Sequence, residues 1–474
     1  MKKQTKLPLG RRILFSFIPI IGFFLLLEAL LRLGGIDKTD MLINLSAGFS
    51  GRETHFTFLK DDHGSPVVKT KSMPRALFGR ELLNPAAFSQ KRDPGVFRII
   101  LLGGSTTYGW PLDDRFSYAS WLRAGLPESA DGRRFEILNF GVPGYGSRRI
   151  LNLVRESLRF DPDMMILLTG HNEILESEFS ESVIKMPEPL VAAHARLVEH
   201  SRLYGLLNFL AVRIRRTFSP ADQPLRPTLP RVYRPQRSLL VEEAFRRNLR
   251  RILHLCREES VPLVLCTVPA NILDMPPNGD FPPSSWETAP PDIPSLLEQR
   301  PRDALLHYRY GRYLYEAGEY EKAGEHLQKA CDYDPIALRV TSRLNRAIRE
   351  TASGGGGSLV DLREVFQEKA PRRIPGNDLF SDNCHPNIES HQMIAFALAC
   401  FLARRSWIAV LPGWEEDFQD KVRQASDNQP LNDRDLYHYW QYMASFYSLH
   451  GAEEQYRESR ERMRVLEEKL RRRI

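Results

Sequence analysis

The chain has 474 residues, of which 42% are hydrophobic and 26% charged, and its 66 Lys and Arg against 59 Asp and Glu leave a formal charge of +7. Such a composition excludes a disordered or collagen-like chain and leaves room for one large core with one or two smaller modules. The excess charge sits at the ends: Lys2, Lys3, Lys6, Arg11 and Arg12 give +5 without an acid, and residues 457–474 give +4 from eight bases and four acids. The body is therefore near neutral, and no nucleic-acid partner is expected. Five cysteines (Cys256, Cys266, Cys331, Cys384 and Cys400) show neither a metal-binding nor a disulfide spacing and read as buried thiols.

Residues 1–12 are expected to be a cytoplasmic basic segment. Ile13 to Leu27 holds no charge, and the apolar character continues past Glu28 to Leu33. As a helix, residues 13–33 reach about 30 Å, enough to cross a bilayer once. The preceding cations place the amino terminus in the cytoplasm, so a single-pass inner-membrane anchor with an extracytoplasmic or periplasmic body is predicted. A cleaved signal is the alternative, for which Gly34-Gly35-Ile36 is a poor site. Residues 34–95 are expected to be a linker and an N-terminal extension.

Short β-rich runs then alternate with helical patterns, the signature of parallel βαβ units. Strands are predicted at Phe97 to Leu102, Phe135 to Phe140, Met164 to Thr169, Leu263 to Val268 and Leu359 to Asp361, with helices near 116–126, 148–159 and 239–258. The expected fold is an α/β three-layer sandwich around a five-stranded parallel sheet, with ligands beyond the carboxyl ends of the strands. Residues 180–238 interrupt the pattern with a helical stretch near 189–216 and then a Pro-rich run, and 275–294 read as a Pro-rich excursion.

Within 304–337, Gly311, Gly318, Tyr320, Ala323, Leu327, Ala330 and Pro335 match the spacing of a tetratricopeptide (TPR) repeat, which Leu338 to Glu350 would cap. An ordinary helical hairpin is the plainer reading. Tyr308, Tyr313, Tyr315 and Tyr320 are expected to form an aromatic surface for a protein or glycan partner, overhanging the active site. Gly354 to Gly357 read as a flexible return to the last strand. Residues 406–474 form a C-terminal helical region, in which 436–470 read as a degenerate second copy of the repeat.

Four blocks carry chemistry, each at the end of a predicted strand. Gly103-Gly104-Ser105 precedes a helix, where glycines permit a tight turn and amide donors face the serine hydroxyl. In Gly141-Val142-Pro143-Gly144, a glycine lets a backbone N–H approach a substrate oxygen. Gly170-His171-Asn172-Glu173 offers a side-chain amide. In Ser381-Asp382-Asn383-Cys384-His385, the carboxylate of Asp382 can fold back onto the imidazole of His385. His171 stands as a rival base and Cys384 as a rival thiol.

Taken in this order, the four blocks resemble the SGNH (GDSL) hydrolase superfamily over roughly residues 96–271 and 358–405, with 272–357 as a Pro-rich and TPR-like insertion. The resemblance implies a flavodoxin-like fold with Ser105 as nucleophile and Asp382 and His385 as its partners. It also implies an oxyanion hole from Ser105, Gly144 and Asn172, without cofactor or metal. Two positions depart from the family pattern: Gly104 stands for Asp, and Glu173 stands for Asp. The expected function is a carboxylic ester hydrolase with an ester-bearing substrate, acetyl esters foremost, such as an acylated envelope glycan. The alternatives are an envelope-glycan O-acyltransferase and a catalytically idle scaffold that binds proteins.

Overall fold

The computed structural model describes residues 9–34, 55–60, 64–71, 82–126, 132–177, 197, 201–204, 206–207, 233–277, 292–450 and 452–471. The expected helix near 189–216 and the Pro-rich run after it fall largely outside these residues, as does most of the excursion at 275–294. Helix α1 (Leu9–Leu33) covers the predicted span. Among the described residues no helix is long and apolar enough to cross a membrane, and the side chains of residues 9–17, 20 and 21 lie outside that description.

The stretch expected to be linker and extension holds a three-stranded antiparallel sheet: β1 (Phe56–Lys60), β2 (Pro66–Thr70) and β3 (Ala87–Ser89). It joins the main core because Phe56, Val68 and Phe88 are buried together with Phe140 and Phe160. The Phe56 ring lies 4.8 Å from Phe140 and 4.7 Å from Phe160.

The main sheet has five parallel strands in the order β5–β4–β6–β7–β8. These are β4 (Val96–Gly103), β5 (Arg134–Gly141), β6 (Met164–Leu168), β7 (Leu263–Cys266) and β8 (Ser358–Val360). All five sequence-predicted strands are present, and the order reverses at β4, the first strand of the sheet in the chain. β4 is buried at every position, which explains its apolar run from Ile99 to Leu102: a strand covered on both faces has no polar side to alternate with, and its one charge, Arg98, is buried against Glu136 at 2.5 Å. Register brings the strand ends level. Gly103 pairs with Gly141 on one side and with Leu168 on the other, so the loops after β5, β4 and β6 leave the sheet side by side.

The helices follow in chain order. After β4 come α2 (Ser105–Tyr108) and α3 (Tyr118–Gly125), and after β5 comes α4 (Ser147–Ser157). The long α5 (Pro235–Glu258) leads into β7, and α6 (Ile293–Gln299) follows. The predicted repeat is a helical hairpin, α7 (Ala304–Glu316) and α8 (Tyr320–Asp332), and α9 (Ser342–Gly355) packs on α5, β7 and β8. Then come α10 (Leu362–Lys369), α11 (Ile388–Arg404), α12 (Trp414–Asp427), α13 (Asp433–His450) and α14 (Glu453–Arg471).

Two expectations about 304–357 are corrected. Tyr308 is not surface: only 6% exposed, it donates its hydroxyl to the Leu273 carbonyl at 3.0 Å and joins the core. Its neighbours divide, since Tyr313 is exposed whereas Tyr315 packs edge-on against Tyr320 at 5.4 Å. The glycines at 354–357 are not a loose return. Gly356 closes α9 with a left-handed φ of +66°, and a Cβ on Gly355 would lie 2.3 Å from Leu253 Cδ2, so helix closure and close packing explain these two.

Candidate active site

Ser105 is the first residue of α2, directly after β4, and it is half-buried among buried neighbours. Asp382 and His385 lie in the loop before α11, whose first turn is capped by the Asn387 side chain. Folding brings the three together. His385 Nε2 is 2.7 Å from Ser105 Oγ, and His385 Nδ1 is 2.5 Å from Asp382 Oδ2.

The carboxylate of Asp382 is fully buried and each of its oxygens is bonded twice. Oδ1 accepts from the backbone N–H groups of Cys384 and His385, both at 2.8 Å, and Oδ2 accepts from His385 and from the Tyr442 hydroxyl at 2.7 Å. Burial alone would raise its pKa, but the His385 charge and these donors outweigh burial and hold the carboxyl at about 2. In turn, burial alone would lower the His385 imidazole, and the Asp382 carboxylate overrides that and raises it well above its ordinary value. An imidazole bonded on one side to a carboxylate and on the other to a hydroxyl can take the hydroxyl proton as the oxygen attacks a carbonyl.

The other two blocks stand beside this trio. Gly144 has a φ of +78°, and a Cβ there would meet nothing within 4 Å, so the residue faces open space. The Asn172 amide donates to the Tyr145 carbonyl at 3.0 Å. A Cβ on Gly104 would lie 2.9 Å from Asn172 Nδ2, so the glycine in place of the family's Asp leaves room for that amide. Ser105, Gly144 and Asn172 are each half-buried, and their flanking residues Gly104, Thr106, Pro143, Tyr145, His171 and Glu173 are buried. The small N-terminal sheet supports this arrangement: His55 holds Glu156 through Nδ1 at 2.7 Å and the Tyr145 hydroxyl through Nε2 at 3.0 Å.

Glu173, the second departure from the family pattern, has a place in the fold. Its carboxylate accepts from the Ser147 backbone N–H at 2.8 Å and from the Ser147 hydroxyl at 2.7 Å, at the start of α4. Glu176 accepts from the N–H groups of Gly146 and Arg148 and from Arg149 Nε. The pair satisfies donors at a helix start, where negative charge is favoured, and ties the third block to the second. Burial, with Glu176 beside it, pushes the Glu173 carboxyl upward.

His171 is not placed as a base. Its Nδ1 accepts the Val340 backbone N–H at 3.0 Å, and burial, followed by the charge of His385, pushes it down to about 3. Cys384 does face His385, with Sγ 3.8 Å from Nδ1. Burial raises the thiol pKa, and the hydroxyl of Ser105 stands nearer the ring, at Nε2. All five cysteines are buried and free. Asp382, Cys384 and His385 offer three ligand atoms within 4.8 Å of one another. The carboxylate's four acceptor positions are already filled by protein donors, so the set does not fit a resident metal. Tyr442 was missed by sequence reasoning: it lies 57 residues beyond His385, in a stretch that reads only as a degenerate repeat and carries no catalytic motif.

Residues 101–290 match the model of the GDSL-like lipase/acylhydrolase family. That span takes in Ser105, Gly144 and Asn172 and ends before Asp382 and His385. No curated protein sequence matches the chain. Among solved structures, the chain is similar to an acetyl xylan esterase at 12% identity and a TM-score of 0.33, covering 65% of this chain and 100% of that one. It is also similar to a catalytic mutant of an acetylxylan esterase from Geobacillus stearothermophilus, at 13% identity and a TM-score of 0.33, covering 66% and 97%. A lipase/acylhydrolase from Enterococcus faecalis is similar at 14% identity and a TM-score of 0.31, covering 65% and 96%. On the family match, residues 101–290 carry a GDSL-like lipase/acylhydrolase domain, and the class of activity is that of a hydrolase acting on ester bonds.

Proposed function

We propose that this protein is a serine ester hydrolase anchored in the inner membrane by residues 13–33, with its catalytic domain outside the cytoplasm. Its nucleophile is Ser105, its base His385 and the partner of that base Asp382. The observation that carries the reading is the bridge of His385 between Ser105 Oγ at 2.7 Å and Asp382 Oδ2 at 2.5 Å. His385 Nε2 takes the hydroxyl proton as Ser105 Oγ bonds the acyl carbon. The carbonyl oxygen becomes an oxyanion, held by the N–H groups of Ser105 and Gly144 and the amide of Asn172. The oxyanion collapses, the alcohol leaves with the proton from His385, and a water activated by His385 releases the acid and restores Ser105.

Acetyl esters of an envelope glycan are the substrate class to test first, and transfer of the acyl group to a second sugar hydroxyl is the competing outcome. The anchor is supported by the uncharged run Ile13 to Leu27 and by Phe23, Leu25, Leu26 and Leu33, all exposed on α1. The TPR-like insertion 304–350 is proposed as the element that binds a protein or glycan partner.

A fluorophosphonate probe should label the wild-type protein at Ser105, and p-nitrophenyl acetate should be turned over. An unlabelled serine in folded protein would leave only the idle-scaffold reading. The pH dependence has a definite sign. The base is the neutral form of His385, whose pKa is raised, so turnover should increase with pH through a midpoint above 6.5, the ordinary imidazole value. A midpoint at or below that value in a kcat/KM profile would contradict the Asp382–His385 pairing.

A further inference from the structure

Tyr442 lies on α13, beyond the residues that match the family model, yet its hydroxyl donates to Asp382 Oδ2 at 2.7 Å. That oxygen is the one His385 Nδ1 meets at 2.5 Å. The Tyr442 ring stands edge-on to His385, with centroids 6.0 Å apart and planes at 82°. On its other side it meets Trp110 edge-on at 5.3 Å, and the indole of Trp110 hydrogen-bonds the Tyr442 hydroxyl. The Trp110 backbone N–H in turn donates to the Ser105 carbonyl at 3.0 Å. A closed ring results, running from Ser105 through His385, Asp382, Tyr442 and Trp110 back to Ser105.

Helix α13 is built to hold this position. Asp435 at its start pairs with Arg115, which follows the Ser105 block, and Gln429 just before it donates to the Arg115 carbonyl at 2.9 Å. Met443 and Phe446, on either side of the next turn, are buried with Met275. Tyr439, one turn before Tyr442, hydrogen-bonds Ser381.

We propose that Tyr442 is a positioning residue of the catalytic site: held by Trp110, its hydroxyl fixes Asp382 Oδ2 and limits the charge that this oxygen presents to His385. The inference rests on the reading of His385 as the base of Ser105. Without the hydroxyl, a buried carboxylate keeps one acceptor position unfilled, and its charge acts on the imidazole undiluted. The protonated imidazole is then favoured, and the base is available only at higher pH. The other titratable groups facing the pair are Cys384, the buried His171 and His391, Arg339, and the phenols of Tyr439 and Tyr447. His171 and His391 are both pushed to about 3, first by burial, so neither titrates in the range of the test.

The test compares wild type, Tyr442→Phe and Trp110→Phe in the full chain by two measurements. One is the pH profile of kcat/KM for p-nitrophenyl acetate. The other is the titration of the His385 imidazole by NMR, assigned through its loss in His385→Ala. Tyr442→Phe should move both midpoints upward by about one pH unit, and Trp110→Phe, which weakens the phenol as a donor, should move them the same way by less. Unchanged midpoints in both variants, even with a lowered Tm, would overturn the proposal and leave Tyr442 as packing. If Tyr442→Phe does not fold, Trp110→Phe decides by the same criterion. A wild type without Ser105-dependent turnover would remove the esterase reading, and the NMR titration would still decide the role of the tyrosine.

Discussion

Two helical hairpins follow the fourth strand of the main sheet, and they differ in what the sequence discloses about them. The first, α7 with α8, has a pattern legible at a glance: Gly311 meets Leu327, and a Cβ on that glycine would lie 2.7 Å from Leu327 Cγ. Its Tyr308 and Arg312 bind Leu273 and Asp274 in the loop after β7. The second, α13 with α14, reads in the sequence only as a degenerate copy of that repeat, and it places a hydroxyl on Asp382. A repeat motif records how two helices pack against each other, because that packing recurs every few residues. Where a hairpin docks depends on a handful of side chains scattered along its face and on an equal number elsewhere in the chain.

If this contrast holds, damage to the ring around Asp382 should appear in rate, and damage inside α7 and α8 in stability. The reference for scale is Ser105→Ala. It should abolish labelling and lower turnover of p-nitrophenyl acetate by about 10³-fold or more, since removing one member disables the unit. Near wild-type turnover in that variant would remove the nucleophile assignment and with it the comparison.

Asn172→Ala should cost about 10²–10³-fold in kcat with the fold intact, the scale of one oxyanion donor. A loss confined to KM would place the amide in substrate binding instead.

Gly104→Asp sharpens the reading of the first departure from the family pattern. Although it restores the family's residue, its Cβ would meet Asn172 Nδ2 at 2.9 Å. The amide must move, so we expect about a tenfold loss of kcat with little change in Tm. A gain in activity would mean that Asn172 has a second productive position.

The smallest effect on rate is expected from Gly311→Ala. The added methyl presses on Leu327, and overpacking of this kind costs about 1–3 kcal/mol of stability. Turnover of a small ester should stay within about twofold of wild type, an activity comparison that follows from the hairpin's own bonds leading to Leu273 and Asp274. A large fall in kcat in folded Gly311→Ala protein would erase the distinction between the hairpins.

Much of the site was legible because its parts are local. Ser105, Gly144 and Asn172 follow strands whose apolar runs are unmistakable, and Asp382 and His385 are three residues apart, close enough for one turn of chain to bring carboxylate and imidazole together. The expected strands lie within a residue or two of those observed, since the fully buried parts of β4, β6 and β7 are marked by apolar runs. The reading of 34–95 as linker and N-terminal extension left its sheet unseen for a related reason. β1, β2 and β3 are short, and what makes them core is the contact of Phe56 and Phe88 with Phe140 and Phe160, residues far along the chain.

What the sequence determined by itself is therefore the set of strands, the order of the four blocks and the chemistry each block offers. Only the tertiary structure decided that the strand ends lie level at Gly103 and Gly141, that His171 is spent on the Val340 backbone, and that Tyr442 and Trp110 close a ring around Asp382. The physical reason is the range of the interactions. Burial of a strand or a helix face is written into the residues of that segment. A hydrogen bond across hundreds of residues, such as His385 to Ser105, depends on how all the intervening segments pack, and no single segment carries a record of it.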